Sequence, residues 1–379
     1  VHPGKGRATI DQLATDRLFD VSVGAPLSLV KIEVTGGNDP SDGGYGAGIR
    51  SSANLKLTRS AVTKNTSSSC GGGIHTQLGA DLTLRRTRVT GNRASSDGGG
   101  ISHSCFGTGG KLTMTNSLVA NNRSDADSDS FGRGGAMYFQ APSQNSAITQ
   151  STITGNRTGP GGHPTGASEG GGIYADTGRL RITGTTVSGN RSGDNGGGIS
   201  VDGTEPLVLV NSTIADNRAN SGGGGISGES GEISLNAVTV AHNLGNADGL
   251  LSEAGGGISN DSAELRVENS LIALNRLTEI GGGGTLRNDC SAPSDPGIES
   301  LGHNLISTRF LCDFFDGPGD LARRNPKIAR LARNGGPTKT IALKRGSPAI
   351  DEAKRSSAPN RDQRGQRRGR KPDIGAFER

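Results

Sequence analysis

The sequence predicts an all-β protein, a parallel β-helix of about nine to ten coils, on three observations. A glycine cluster followed by an anchor residue recurs nine times at spacings of 25 to 36 residues, and each unit ends on an asparagine in a constant frame. Such a period with β-rich units is typical of solenoid coils. The 64 glycines, the absence of tryptophan and 3% aromatic residues suit a thin aliphatic core stacked along an axis. The predicted anchors are Ile49, Ile74, Ile101, Met137, Ile173, Ile199, Ile226, Ile258 and Thr285.

Within each coil, residues ten, eight, five and three positions before the asparagine are apolar or small. They alternate with polar residues and therefore predict two short strands, each with one buried face, separated by a bend. Stacked coils place equivalent residues about 4.8 Å apart, so the asparagines are predicted to form an internal ladder of amide hydrogen bonds. Leu27, Leu29, Ile32 and Val34 predict an imperfect earlier coil. The ladder asparagines are Asn65, Asn92, Asn122, Asn156, Asn190, Asn217, Asn243 and Asn275.

The repeat stops near residue 288, which predicts a β-helix over 1–288 and a second module over 289–379. Because the open end of a solenoid exposes unpaired strand edges, we expect this module to act as a cap. Its motifs, together with the coil units, resemble the choice-of-anchor Q family of secreted bacterial β-helix proteins. The resemblance implies a right-handed helix and a secreted or cell-surface location, and it names no reaction. The motifs are SLGHNL (300–305), NGGPT (334–338), SPAID (347–351), DQRG (362–365) and DIGAFE (373–378).

Four cysteines suit an oxidising compartment. Cys290 and Cys312 are 22 residues apart in one irregular segment, which predicts a disulfide. Cys70 and Cys105 occupy different places in their coils, and their pairing stays open. No cysteine–histidine spacing indicates zinc.

The net charge of +5 conceals a strong segregation of charge along the chain. Residues 49–123 hold 10 Lys/Arg and 2 Asp/Glu, residues 124–320 hold 10 and 23, and residues 321–379 hold 17 and 5. A basic first third predicts a site for a polyanion, with an acidic polysaccharide as the predicted partner and phosphate as the alternative anion. The basic tail has no interleaved aromatic residues, so an anionic cell-surface polymer is favoured over a specific nucleic acid or a membrane surface. No apolar run is long enough to cross a membrane.

Two columns of arginines are candidates for binding the polysaccharide carboxylates. Arg59 and Arg86 both stand six residues before an asparagine, and a second column directly follows the asparagines. Stacked guanidinium groups repel one another unless an anion lies between them. The alternative is that these side chains extend into water, or that nearby Asp97, Asp125, Asp194 and Asp216 neutralise them. The predicted substrate-binding residues are Arg50, Arg59, Arg86, Arg93, Arg123 and Arg157.

The residue after each anchor is predicted to point outward, because the anchor itself points inward. This column gathers arginine, histidine and tyrosine, which suit the carboxylate-neutralising and proton-transfer steps of a β-elimination. The alternative is that the propensity of these residue types for β-strand surfaces alone explains their presence in this column. A neighbouring column with Asp176, Asp202, Glu229 and Asp261 suggests either a glycosidase pair or ordinary turns. The predicted catalytic residues are His75, Tyr138 and Tyr174 of this column, His103 one place further along its coil, and His163 of the insertion at 157–169.

Insertions at 123–133 and 157–169 leave the same corner of consecutive coils and predict one wall of a cleft. Asp125, Asp127 and Asp129 suggest calcium, the single cofactor considered, although the loop lacks the glycine and terminal acid of an EF-hand; the alternative is a polar loop. The function hypotheses are a secreted polysaccharide lyase, a glycoside hydrolase and a non-catalytic adhesin or matrix solenoid.

Overall fold

The computed structural model describes residues 6–41, 43–105, 107–127, 131–141, 145–160, 168–249, 254–279, 281, 283–293, 297–308, 312 and 315–379. In this part of the chain three long parallel sheets wind around one apolar core, as predicted. We name them sheets 1, 2 and 3 in the order in which each coil visits them. No helix in the described part has the length and apolarity needed to cross a membrane.

Sheet 1 begins with the anchors, and ten strands stack in register along it. Its strands are Phe19–Val21, Ile49–Ser51, Ile74–Thr76, Ile101–His103, Met137–Gln140, Ile173–Thr177, Ile199–Asp202, Ile226–Ser230, Ile258–Asn260 and Cys290–Ser291. Sheet 2 also has ten strands, which carry the first apolar pair of each coil. Its strands are Leu27–Val30, Leu55–Thr58, Leu82–Arg85, Leu112–Thr115, Ser146–Thr149, Leu180–Thr183, Leu207–Val210, Glu232–Asn236, Glu264–Glu268 and Ile298–Gly302.

Sheet 3 carries the second pair of each coil in twelve strands. They are Ala8–Asp11, Ile32–Thr35, Ala61–Thr63, Arg88–Thr90, Leu118–Ala120, Thr152–Thr154, Thr186–Ser188, Thr213–Ala215, Thr239–Ala241, Leu271–Ala273, Leu305–Ile306 and Leu321–Ala322. Short strands also pair at the corner after the asparagines: Asn38–Asp39, Thr66–Ser67, Arg93–Ala94, Arg191–Ser192, Arg218–Ala219, Leu244–Gly245, Arg276–Thr278 and Thr285–Arg287. An antiparallel pair, Ile328–Ala332 and Thr340–Leu343, follows in the tail.

The asparagine ladder is confirmed. Each Nδ2 donates to the Oδ1 of the next asparagine at 2.9 to 3.0 Å, from Asn65 through to Asn275. A second ladder runs between sheets 2 and 3, where buried hydroxyls accept hydrogen bonds from the backbone of the preceding coil. Ser117 Oγ, for example, accepts from Thr87 N at 3.1 Å. Because buried polar groups need partners, these two ladders hold the coils in register.

The prediction that Thr285 is the ninth anchor is wrong. Thr285–Arg287 pairs antiparallel with Arg276–Thr278, and Cys290 takes the anchor position opposite Ile258. The reversal inserts a short hairpin before the next coil, which the repeat spacing alone does not reveal. Strands as far as Leu321–Ala322 extend the sheets beyond residue 288, and the division into modules at that position stays a prediction.

The tail packs against the outer face of sheet 3 over the later coils. Small and aliphatic residues on that face, such as Ala241 and Leu271, form a second apolar cluster with Ile341 and Ile374 of the tail. Gln363 Oε1 accepts from Thr213 Oγ1 at 2.6 Å. The predicted cap is therefore present in part, as a module with its own small antiparallel sheet that lies along the flank of the solenoid.

Candidate functional site

The column after the anchors forms in register but is covered, which corrects the expectation that it is exposed. Consecutive strands place His75 beside Ser102, Ser102 beside Tyr138, and Tyr138 beside Tyr174. Tyr138 is only 4% exposed, Tyr174 1% and His75 2%. The register prediction is thus confirmed, whereas these candidate catalytic side chains have almost no contact with solvent.

A disulfide and a tyrosine cover this column. Cys70 and Cys105, whose pairing the sequence left open, are joined and cluster with Tyr138 and Tyr174. The Tyr45 ring lies 5.1 Å from the ring of His75. Tyr45 and Cys70 precede their sheet 1 strands and Cys105 follows its own, so segments from both ends of the strands fold over this surface. The predicted bond between Cys290 and Cys312 is also present.

The buried tyrosines donate hydrogen bonds to carboxylates. Tyr138 OH donates to Asp176 Oδ2 at 2.6 Å, and Tyr174 OH donates to Asp202 Oδ2 at 3.1 Å. Burial, with these acidic neighbours adding to it, raises the pKa of both tyrosines. The Arg133 guanidinium lies 4.9 Å from the Tyr174 ring centre. The phenols are therefore held as neutral donors, and the carboxylates of the predicted glycosidase column are their acceptors.

The two described histidine candidates are also enclosed. His103 is completely buried, with Nδ1 2.6 Å from Thr76 Oγ1 and Nε2 2.8 Å from Gly110 O. Burial lowers the pKa of His103, and it lowers the pKa of His75 to about 4. Both imidazoles are thus neutral near pH 7. His103 lies two residues after its anchor, one place beyond the outward column, and its side chain is buried.

Beside the tyrosines, the carboxyl groups of Glu169 and Glu229 hydrogen-bond to each other. Burial, the charge of Glu229 and a hydrogen bond to it raise the pKa of Glu169 to about 9, while the same hydrogen bond opposes the rise at Glu229. Ser200 Oγ and Asn195 Nδ2 both approach Glu229 Oε1 at 3.4 Å. Burial also raises the pKa of Glu229, so both carboxyl groups are shifted toward the protonated form inside the fold.

The predicted substrate-binding arginines lie on three different parts of the surface. Arg50, on sheet 1, forms a salt bridge with Asp20 at 2.5 Å. Arg59 and Arg86 are exposed at the bend between sheets 2 and 3. Arg93, Arg123 and Arg157 follow the asparagines. A column position fixes a face of the solenoid, and these three columns occupy different faces.

The arginines after the asparagines form a continuous row on the corner, which we call the arginine column. Pairing in register joins them in the order Arg93, Arg123, Arg157, Arg191 and Arg218. They line two adjoining cavities of about 430 and 460 Å³, which we call the arginine groove. Sequence analysis missed how the groove opens. The sequence feature that could have predicted the groove is the glycine that precedes some of the asparagines, as at Gly155 and Gly189. These glycines have positive φ, and no side chain fills the space beside them.

Within the described residues, no carboxylate forms an ion pair with Arg93, Arg157 or Arg191. Asp97 and Asp194, expected as neutralising acids, accept backbone hydrogen bonds from Arg133 and Ser168. Partial burial, followed by repulsion from Arg123, Arg93 and Arg191, lowers the pKa of Arg157. Positive charge without an ion-pair partner among the described residues therefore lies in this groove at Arg93, Arg157 and Arg191.

The calcium prediction is tested only in part. Asp125 is buried. Its carboxylate lies so close to Gly159 that any side chain at position 159 would overlap it, so the two inserted loops meet at this point. Asp127 is exposed, and Asp129 lies outside the described residues, as does His163. Among the described residues no group of three metal-ligating side chains comes together. The calcium loop stays a prediction.

Comparison with known proteins identifies the class of fold. No family model matches the chain, and no curated protein matches it in sequence. The chain is similar to the crystal structure of the pectate lyase Pel9A, with a TM-score of 0.54, 14% identity, and coverage of 100% of this chain and 84% of that one. At this identity the likeness shows the fold, a parallel β-helix. The resemblance to the choice-of-anchor Q family rests on its sequence motifs alone.

Proposed function

We propose that this protein binds an acidic polysaccharide along the arginine groove. The observation that carries the proposal is the arginine column itself, in which one guanidinium follows another on consecutive coils from Arg93 to Arg218. Coils stack about 4.8 Å apart, so these five side chains span roughly 19 Å, longer than one sugar unit. A flexible chain that carries a carboxylate on its sugars fits such a row of cations.

The like charges of Arg93, Arg157 and Arg191 repel one another until an anion enters the groove. Partial burial and then repulsion from the neighbouring guanidinium groups lower the pKa of Arg157, and no carboxylate among the described residues forms an ion pair with it. A bound carboxylate relieves the repulsion and also gains charge-assisted hydrogen bonds from the guanidinium groups. Binding is therefore expected to weaken as ionic strength rises.

Cleavage of the bound chain by β-elimination is the second part of the proposal. In this reaction a base removes the proton next to the carboxylate, the electron pair forms a carbon–carbon double bond, and the glycosidic oxygen leaves and is protonated. The groove supplies guanidinium groups that stabilise the carboxylate as it accepts charge. The candidate base is His163, three residues along the chain from Pro160, which lines the groove.

The two alternative functions, a glycoside hydrolase and a non-catalytic adhesin, have less support. A retaining glycosidase needs carboxyl groups about 5 Å apart that flank the scissile bond. Instead, Glu169 and Glu229 hydrogen-bond to each other, and Asp176 accepts from Tyr138. A non-catalytic adhesin or matrix protein would use the same groove for binding alone. The two disulfides favour an oxidising compartment, which supports the proposed secreted or cell-surface location. The proposed bacterial origin rests on the resemblance of the sequence motifs alone.

The experiment is a binding titration with pectate, alginate and a neutral glucan at low and high salt, followed by ultraviolet absorbance of the product. The proposal expects salt-sensitive binding to an acidic polymer, none to the glucan, and a rise in absorbance from the unsaturated uronate. Binding without that rise supports the adhesin, and new reducing ends without it support a hydrolase. Equal binding to neutral and acidic polymers would overturn the proposal.

A further inference from the structure

A separate cavity of about 530 Å³ lies where the later coils meet the tail module. Its solenoid wall comes from the corner after sheet 3, and its far wall includes Arg330 of the tail strand Ile328–Ala332. The lining residues are Asp216, His242, Asn243, Leu244, Leu274, Arg276, Thr285 and Arg330.

The cavity continues the line of the arginine column but changes its chemistry. Strand pairing places Leu244 next to Arg218, and Arg276 next to Leu244. The row of guanidinium groups is therefore interrupted by an aliphatic side chain, and Leu274 adds a second one to the lining. A surface with an apolar patch between cations fits the carbon face of a sugar ring whose carboxylate meets an arginine.

The charged groups around the cavity favour an anion. Burial raises the pKa of Asp216, whereas the basic groups of His242, Arg330 and Lys339 around it oppose that rise. Arg276 Nη1 donates to Thr285 Oγ1 at 3.1 Å, which orients this guanidinium without neutralising it. Within the part of the chain that the structure describes, no carboxylate forms an ion pair with Arg276 or Arg330.

His242 adds an unsatisfied polar atom. Its Nε2 is buried and has no hydrogen-bond partner among the described residues. A shielded polar atom without a partner is unfavourable, so a further polar group that reaches it stabilises the site. Sugar hydroxyls can act as donor or acceptor and therefore match either tautomer of the imidazole.

We propose that this cavity is a subsite for a single carboxylated sugar unit, with Arg276 and Arg330 on the carboxylate, Leu244 and Leu274 under the ring, and His242 on a hydroxyl. The inference rests on the proposed function, because it assigns a terminal unit of the acidic polysaccharide to the end of the arginine column. It also gives the tail module a role in recognition, since Arg330 belongs to the tail.

The test is calorimetric titration with trigalacturonate, with galactose and sodium sulfate as separate arms. Arg330→Ala is expected to weaken trigalacturonate binding about tenfold, equal to about 1.4 kcal/mol. The matched control is Arg345→Ala, an exposed arginine of the same module. Leu244→Arg is a second variant. It extends the arginine column in register but replaces one of the two leucines that are proposed to lie under the sugar ring, so it is also expected to weaken trigalacturonate binding.

Unchanged binding in both Arg330→Ala and Leu244→Arg would overturn the subsite. Equal affinity for sulfate and trigalacturonate would also overturn it, since that result describes a simple anion site. The double variant Arg157→Ala, Arg191→Ala separates this inference from the proposed function, because it alters the groove alone. If that variant leaves pectate binding intact while Arg330→Ala abolishes trigalacturonate binding, the proposed groove fails and the subsite stands.

Discussion

The Nδ2 atom of Asn275 donates to Oδ1 of Asp289 at 3.1 Å, so a carboxylate receives the last hydrogen bond of the asparagine ladder. The other oxygen of Asp289 accepts from Ser307 N, Ser307 Oγ and Thr308 N at 2.7 to 2.9 Å. An asparagine here would turn an NH₂ group toward donors. The acid therefore ends the ladder by accepting from both sides.

Asp289→Ala is predicted to destabilise the fold by roughly 3 kcal/mol or more, because several buried donors lose their acceptor. Burial raises the pKa of Asp289 to about 6. A raised pKa in the folded state contributes stability that is complete below the ordinary value near 4 and is lost as pH rises through 6. The cost of the substitution is therefore expected to be larger at pH 4 than at pH 7. Urea unfolding at both values checks this.

The control for Asp289→Ala is Asp11→Ala, which removes an exposed carboxylate from an early strand. It should change the free energy of unfolding little at either pH. A cost at Asp289 that does not vary with pH would contradict the assigned titration, and no cost at all would contradict its place in the ladder.

Asn156→Ala is predicted to be strongly destabilising, because Asn156 lies inside the ladder. Its Oδ1 accepts from Asn122 N and Nδ2, and its Nδ2 donates to Asn190 Oδ1. Removing it leaves buried groups unpaired on both neighbouring coils, at about 1–3 kcal/mol for each group. Chemical denaturation provides the measurement. Asn38→Ala, at an exposed corner position, is the matched control and should be near neutral.

The ladder and the strand columns could be predicted from sequence because stacking forces equivalent residues of successive coils into contact. The covering of the column that directly follows the anchors could not be predicted from sequence. His75 and Tyr138 are enclosed by Tyr45 and by the Cys70–Cys105 bond, which come from corners of irregular length. Periodicity reports the geometry of a coil and carries no information on how such corners fold over it.

The arginine column was found in the sequence, whereas its separation from Arg50 and Arg86 was not, because a column position alone does not say which faces adjoin. The flank position of the tail was also beyond reach. Gln363 and Thr213, which contact each other directly, are 150 residues apart in the chain. No local pattern near residue 363 encodes that partner.

Glu169→Gln is predicted to stabilise the protein at neutral pH. The folded chain must hold a proton on Glu169, because burial and Glu229 raise its pKa, and this requirement costs stability as pH rises above the ordinary range of a carboxyl group. Glutamine supplies a donor without proton uptake. We expect a gain on the order of 1–3 kcal/mol at pH 8, which shrinks toward pH 4.

Thermal unfolding across that pH range measures the gain, with the exposed Glu352→Gln as the control. A loss of stability at pH 8 would show that the pair is ionised and held by other cations.

Tyr138→Phe is predicted to lower stability by about 1–2 kcal/mol, since the buried hydroxyl donates to Asp176. It should leave pectate binding and any cleavage unchanged, because Tyr138 lies under the cover of sheet 1 and does not line the arginine groove. Turnover and unfolding are measured on the same preparation. Loss of turnover with full stability would instead show that Tyr138 acts in catalysis.

The central claim is that the arginine groove binds an acidic polysaccharide, and the most direct measurement is pectate affinity against ionic strength for two variants. Arg157→Ala, Arg191→Ala removes two adjacent cations of the groove, whereas Arg181→Ala removes an exposed cation from sheet 2. The account predicts that the double variant loses affinity about tenfold or more and becomes less sensitive to salt, while Arg181→Ala binds like the native protein. Equal losses in both variants would show that only net charge matters and would contradict the account.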